Sequence, residues 1–210
     1  MKILENFVVF EGCDGSGTTT QLALLEDFFA RNQKSLPPFY RTNEPTNSSI
    51  GNIIRSFLRK EIDLLPETSA MLFAADRNEH VYSRGGIAER CGRGELVVCD
   101  RYLPSSLVYQ GLLCGEELPE KLNRDFPRPQ LLIFFDIDPE TAQRRMAERE
   151  VKEIYEYLDF QTQVRQRYKN LLPQFAAAGV TVESIDAAAC AADVAAEVWR
   201  IIRKLPIIQG

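Results

Sequence analysis

The sequence predicts an α/β fold built on a doubly wound parallel sheet, and three observations carry that expectation. Short apolar runs, rich in β-branched and aromatic residues, alternate with longer segments of helical periodicity. Five such runs occur: Phe7–Phe10 (FVVF), Phe39–Thr42, Leu96–Cys99 (LVVC), Leu131–Phe135 (LLIFF) and Val180–Ile185. Strands apolar on both sides suit a parallel sheet covered on both faces. The first run leads directly into a glycine-rich stretch and then a helical pattern. Open sheets of this class bind ligands there, at the carboxyl ends of their strands.

The intervening segments read as helices over Thr19–Arg31, Ser49–Leu58, Glu67–Arg84, Ser105–Leu112, Pro139–Arg149, Glu153–Ala177 and Ala188–Lys204. The last is Ala-rich, but Val194, Val198, Trp199 and Ile202 give it an apolar face. Asp186 is its expected N-cap, and Arg200, Arg203 and Lys204 complement its C-terminal dipole. No repeat or Pro/Ser-rich linker divides the 210 residues, so one domain over residues 1–210 is expected.

Composition narrows the partners. A formal charge of -5 argues against general nucleic-acid binding, which depends on neutralising many phosphates, yet leaves room for a small anion. Five cysteines, an odd number with no C-x-x-C pair, and a single histidine, His80, argue against zinc and for reduced thiols. The N-terminus reaches its glycines too soon for a signal peptide, and no apolar run is long enough to span a bilayer. A cytoplasmic protein without a membrane partner is expected.

The glycine-rich stretch reads Gly12-Cys13-Asp14-Gly15-Ser16-Gly17-Thr18-Thr19. It matches the phosphate-binding pattern G-x-x-x-x-G-K-[ST] everywhere except at Thr18, which stands in the lysine position. Gly12, Gly15 and Gly17 let backbone N–H groups converge on phosphate oxygens, and the following helix presents its positive end to the same anion. Thr19 occupies the position whose hydroxyl ligates magnesium. Thr18 offers one neutral hydrogen bond where the lysine would follow the moving phosphoryl group with its charge. Losing one aimed donor in a reacting site typically costs about 10²–10³ in rate.

Five blocks, the loop among them, "FEGCDGSGTTTQ", "NEPTNSSIGNIIRSFL", "LFAADRNEHV", "VVCDRYLPSSLVYQG" and "LLIFFDIDPETAQRR", occur in the order found in thymidylate kinases. The chain resembles that family from about Phe7 to its last helix. The resemblance implies a three-layer fold of the P-loop nucleoside monophosphate kinase type, with a five-stranded parallel sheet wrapped by helices. It also implies transfer of the ATP γ-phosphate to dTMP with Mg2+, and a homodimer. By the same resemblance Phe73 stacks on thymine, Arg77 hydrogen-bonds the base, and Ser106 and Gln110 lie near its edge. Tyr109 packs against the sugar, with Asp14 nearby. Glu44 and Arg55 belong to the "EP…IR" block, whose arginine contacts the acceptor phosphate. Arg101 holds that phosphate too, and Asp100 lies near the magnesium and the attacking oxygen. The spacing of Phe73 and Arg77 places both on one helical face.

Two departures accompany the match. The family reads T-R-E-P where this chain has Thr42-Asn43-Glu44-Pro45. Arg41 is close but out of register, and because neighbouring strand residues face opposite sides it is not expected to substitute. For the missing lysine, the segment Arg144 to Lys152 resembles the family's lid, about residues 143–155. Arg145 and Arg149 fall four apart on one helical face. The expectation is that Arg149, with Arg145, supplies positive charge near the γ-phosphate. Two other readings stand beside the dTMP kinase: a nucleotide-binding relative that has lost catalysis, and a kinase for another nucleoside monophosphate.

Overall fold

The computed structural model describes residues 2–146, 155 and 157–209. Arg149 and most of the expected lid, residues 147–154, lie outside the described residues. The five expected strands form one sheet: β1 (Ile3–Gly12), β2 (Phe39–Asn43), β3 (Leu96–Asp100), β4 (Arg128–Asp136) and β5 (Thr181–Asp186). Their order is β2-β3-β1-β4-β5 and every pairing is parallel. The chain steps outward from β1 to β2 on one side, then crosses to β4 and β5 on the other. That reversal of winding direction opens a crevice at the carboxyl ends of the central strands.

Alternation along β1 divides the core in two. Phe7 and Val9 pack into one layer with α2 (Ser49–Leu58), α3 (Pro66–Tyr82), α4 (Ile87–Gly92), α5 (Leu103–Cys114) and α8 (Leu158–Ala177). Val8 and Phe10 pack into the other with α1 (Thr18–Arg31), α7 (Pro139–Met146) and α9 (Ala191–Ile202). All four are fully buried, each removal from water contributing about 1.5–3 kcal/mol. The three layers follow from apolar side chains on both faces of the central strand. Where β1 meets β4 the register shifts between Leu4 and Val8, and Asn6 takes a left-handed φ of 62° there. Its backbone N–H turns to Gln130 Oε1 at 2.8 Å. Asparagine tolerates that conformation better than most residues.

Several helix boundaries differ from expectation. The last long helix begins at Ala191, not Ala188, and Asp186 is not its cap. Asp186 instead ends β5 opposite Asp136, and its Oδ1 accepts from Ala188 N in the following turn. Ser105 is an interior residue of α5, which starts two positions earlier at Leu103. α8 starts at Leu158, after an extended Tyr157, and α3 ends at Tyr82. The short helices α4, α6 (Glu117–Asn123) and α10 (Pro206–Gln209) were not expected, since one or two turns leave no readable periodicity.

Candidate active site

The glycine loop joins β1 to α1 as its spacing requires. Gly15 and Gly17 take left-handed φ values of 81° and 92°, which side-chain-bearing residues rarely adopt. A Cβ at Gly15 would also lie 2.7 Å from the Ala142 carbonyl. Gly17 precedes the first residue of α1, and no side chain caps that helix. Its first-turn N–H groups are left facing the loop, ready for an anion.

Below the loop, Glu11 is completely buried. Its Oε1 accepts from the backbone N–H groups of Tyr102 and Ser105, at 3.0 and 3.2 Å. Its Oε2 accepts from Ser105 Oγ and Tyr168 OH, each at 2.7 Å. A carboxylate from a neighbouring strand thus does for α5 what an N-cap side chain would do, at the positive end of the helix. Burial pushes its carboxyl up to about 7, against the opposing pull of these donors and of Arg101.

The Asp100–Arg101 pair closes β3. Arg101 adopts φ 66° and donates its N–H to Phe10 O at 2.9 Å. The resulting turn sends its guanidinium to Asp14 Oδ1 at 2.5 Å and Tyr109 OH at 3.2 Å. Asp100 points the other way, accepting from Thr19 Oγ1 at 2.5 Å through Oδ2. Its Oδ1 is buried without a hydrogen-bond partner among the described residues. A hydroxyl, a carboxylate and an unsatisfied carboxylate oxygen beside the loop are the hard donors that suit Mg2+, which takes few protein ligands and completes its shell from water and phosphate.

Farther out, Glu44 Oε2 accepts from Arg77 Nε and Nη2, at 2.9 and 2.7 Å, and Oε1 meets His80 Nδ1 at 3.0 Å. Arg77 also reaches Ser106 Oγ at 3.0 Å and Asn123 Oδ1. Arg77, Ser106 and Gln110 are nearly fully buried. Gln110 Oε1, buried like them, has no partner among the described residues. Arg55 turns to the loop before α2, donating to the carbonyls of Pro45 and Thr46 and to Asn47 Oδ1.

A cavity of about 510 Å³ brings these groups together. Its walls include Asp14, Gly15, Thr18, Thr19, Glu44, Arg55, Phe73, Arg77, Asp100, Arg101, Ser106, Tyr109 and Gln110, so the residues expected at an acceptor site share one space. Arg41 and Asn43 line it as well. Arg41, not expected to substitute for the missing arginine because neighbouring strand residues face opposite sides, lies two residues from Asn43, and strand positions two apart share a face.

A second cavity, about 370 Å³, opens on the other side of the loop. Gly15, Ser16, Gly17 and Gln21 line it together with Arg145, Ala187, Cys190 and Val194. Arg145, expected to add charge near the γ-phosphate, points in this structure to the turn before α9. Its guanidinium donates to the carbonyls of Ala187 and Ala188, at 2.7 and 3.0 Å, and is fixed against the turn before α9.

Two positioning residues escaped the sequence reading. Gln161 on α8 accepts from Asp14 N at 3.1 Å and donates to Asp14 Oδ2 at 2.7 Å, clasping the loop. Glu11 is the other. Neither carries a local signal, because each acts on residues far along the chain.

A glycine loop at the head of a parallel sheet, flanked by a cavity on either side, is the arrangement of a P-loop nucleoside monophosphate kinase, in which donor and acceptor nucleotides meet across the loop. Residues 10–190 match the family described as thymidylate kinase. A putative thymidylate kinase of Treponema pallidum is 42% identical over 172 residues, 81% of each chain. A probable thymidylate kinase of Pyrobaculum aerophilum is 40% identical over 200 residues, 95% of this chain and 97% of its own. A putative thymidylate kinase of Aeropyrum pernix is 38% identical over 180 residues, covering 85% and 84%. The chain belongs to the thymidylate kinase family.

Proposed function

We infer that the protein is an ATP-dependent phosphotransferase acting on dTMP. An oxygen of the dTMP phosphate attacks the γ-phosphorus of ATP, and the bond to the β–γ bridging oxygen breaks. The electron pair leaves with ADP, and dTDP forms. The acceptor phosphate is already a nucleophile, so the protein supplies position and charge neutralisation.

The observation that carries the acceptor assignment is the inner end of the larger cavity. Gln110 Oε1 is a buried acceptor with no described partner, and Phe73 lines the same space. A base with a ring N–H, stacked on Phe73, satisfies both, because an orphaned buried acceptor is costly until a donor arrives. Arg77 closes that end, Tyr109 meets the sugar, and Arg55 and Arg101 face the phosphate. The smaller cavity takes ATP, with Arg145 on its nucleoside side. Residues 12–19 cradle the phosphates. Thr19 and Asp100 would hold Mg2+, which would supply neutralisation of phosphate charge.

The chain works as a single domain, and Arg149, which lies outside the described residues, adds charge near the γ-phosphate. A homodimer and a cytoplasmic location complete the proposal. Ile53 and Met71, both exposed on the mutually packed α2 and α3, offer apolar surface for the dimer, which light scattering measures. No described helix is long and apolar enough to cross a membrane.

The test is direct. Purified protein, Mg-ATP and dTMP are mixed, and ADP and dTDP are measured. Equimolar ADP and dTDP are expected, with dTMP preferred over dCMP and dGMP. Binding of dTMP without turnover would assign the chain to a nucleotide-binding role instead, and faster turnover of another monophosphate would reassign the acceptor.

A further inference from the structure

Thr18 removes a positive charge from the loop, and the larger cavity contains a candidate that restores it. Four arginines line that cavity among the described residues: Arg41, Arg55, Arg77 and Arg101. Three are committed. Arg77 is buried against Glu44, Ser106 and Asn123, Arg101 is held by Asp14 and Tyr109, and Arg55 is held by the loop before α2. Arg41 has one ion pair among the described residues, Nη1 to Glu26 Oε2 at 3.2 Å. Both partners meet solvent, with side chains 32% and 49% exposed.

The position of Arg41 matters as much as its freedom. β2 is the edge strand of the sheet, and α1 packs against it. Thr18, Leu22 and Glu26 recur four residues apart, so they form one stripe along α1. Thr18 and Leu22 line the cavity with Arg41, and Glu26 pairs with it. Arg41 is therefore rooted beside the stripe that begins at the lysine position and ends, about 12 Å along the helix axis, at its present partner. An exposed ion pair contributes little to stability, so a phosphate group at the Thr18 end competes with Glu26 at little cost. Asn43, the next residue on the same face, carries no charge and donates Nδ2 to Pro45 O at 2.7 Å.

We propose that Arg41 leaves Glu26 when nucleotide enters and neutralises the phosphoryl oxygens on the Thr18 side of the loop, replacing the charge of the absent lysine from the neighbouring strand. The assignment rests on the kinase reading above. It differs from a role for the lid, because the charge comes from the sheet edge.

A double-mutant cycle of Arg41→Gln and Thr18→Lys tests it, with kcat and KM measured for each nucleotide. Arg41→Gln should lower kcat about 10²-fold or more with a smaller change in KM for dTMP. In the Thr18→Lys background the same substitution should cost less than about threefold, because two groups sharing one task are not additive. Arg41→Lys should recover part of the loss. Unchanged kinetics in Arg41→Gln overturns the proposal, as does an equal loss in both backgrounds, which marks a structural effect. If the parent forms no dTDP, the kinase reading fails on its own. Calorimetry with Mg-ATP then decides the role of Arg41: weaker binding in Arg41→Gln supports it and equal binding overturns it.

Discussion

Glu11 is the residue on which the start of α5 rests, and its chemistry is unusual for a carboxylate with four donors. Burial outweighs them and raises its pKa from 4.5 to about 7. Because the folded protein holds this proton more tightly than the unfolded chain, the contribution to stability is complete below about pH 4.5. It falls as pH rises through 7. The full shift corresponds to about 3 kcal/mol. Glu11→Gln cannot titrate. Comparing urea unfolding of parent and variant at pH 5 and pH 8 should therefore show the parent losing ground by up to that amount. A difference independent of pH would mean that the Glu11 carboxyl titrates alike in the folded and unfolded chain. Thr18 and Arg41 make the complementary point at the same scale: an electrostatic role can move to another side chain, whereas a buried hydrogen-bond hub cannot.

Among the elements, the connection between β2 and α2 is held by α3. Asp76 accepts from Thr46 N at 2.7 Å, Thr46 Oγ1 at 2.6 Å and Ser48 Oγ at 2.8 Å. The same connection supplies the carbonyls that hold Arg55. Asp76→Ala leaves those donors without their buried acceptor. The expected loss is about 2–4 kcal/mol, or roughly 5–15 °C in Tm for a chain of this size, together with a raised KM for dTMP. An unchanged melting temperature by calorimetry would show that water replaces the carboxylate. Gly51 makes the fit of α2 against this connection visible, since a Cβ there would overlap the Thr46 carbonyl. Gly51→Ala should push the helix outward and weaken dTMP binding, measured by calorimetry, with a smaller effect on ATP binding.

Across the whole molecule, the burial of the thiols reports on the integrity of the sheet. Cys13, Cys91 and Cys99 are buried and Cys190 is exposed. Burial pushes the thiols of Cys13 and Cys91 up to about 12 and holds that of Cys99 well above the usual thiol range. In native protein a thiol reagent should therefore modify Cys190 first and the buried three only on unfolding. Mg-ATP should slow the modification of Cys190, which lines the smaller cavity. Cys114 is only partly covered, so rapid reaction of more than two thiols would mean that the sheet opens under native conditions. The five strands and most of the long helices were legible in the sequence, because apolar alternation and helical periodicity are local. Many of the residues that line the larger cavity stood out in the sequence too, through blocks that keep their order. Three features were not: the capping of α5 by Glu11, the clasp of Gln161 on the loop, and the bonding of Arg145 to the turn before α9. Each joins residues dozens of positions apart, and only the packed layers bring them together.

The edge position of β2 has a consequence for how such chains change over time. A strand repeats one face every second residue, and two such positions on β2, Arg41 and Asn43, line the same cavity. A charged group can therefore migrate by two positions without any rearrangement of the backbone beneath it. A pattern that demands lysine at position 18 and arginine at position 43 would register two losses here and pass over a member of the thymidylate kinase family. Scoring the face of the strand, rather than the column, would retain it.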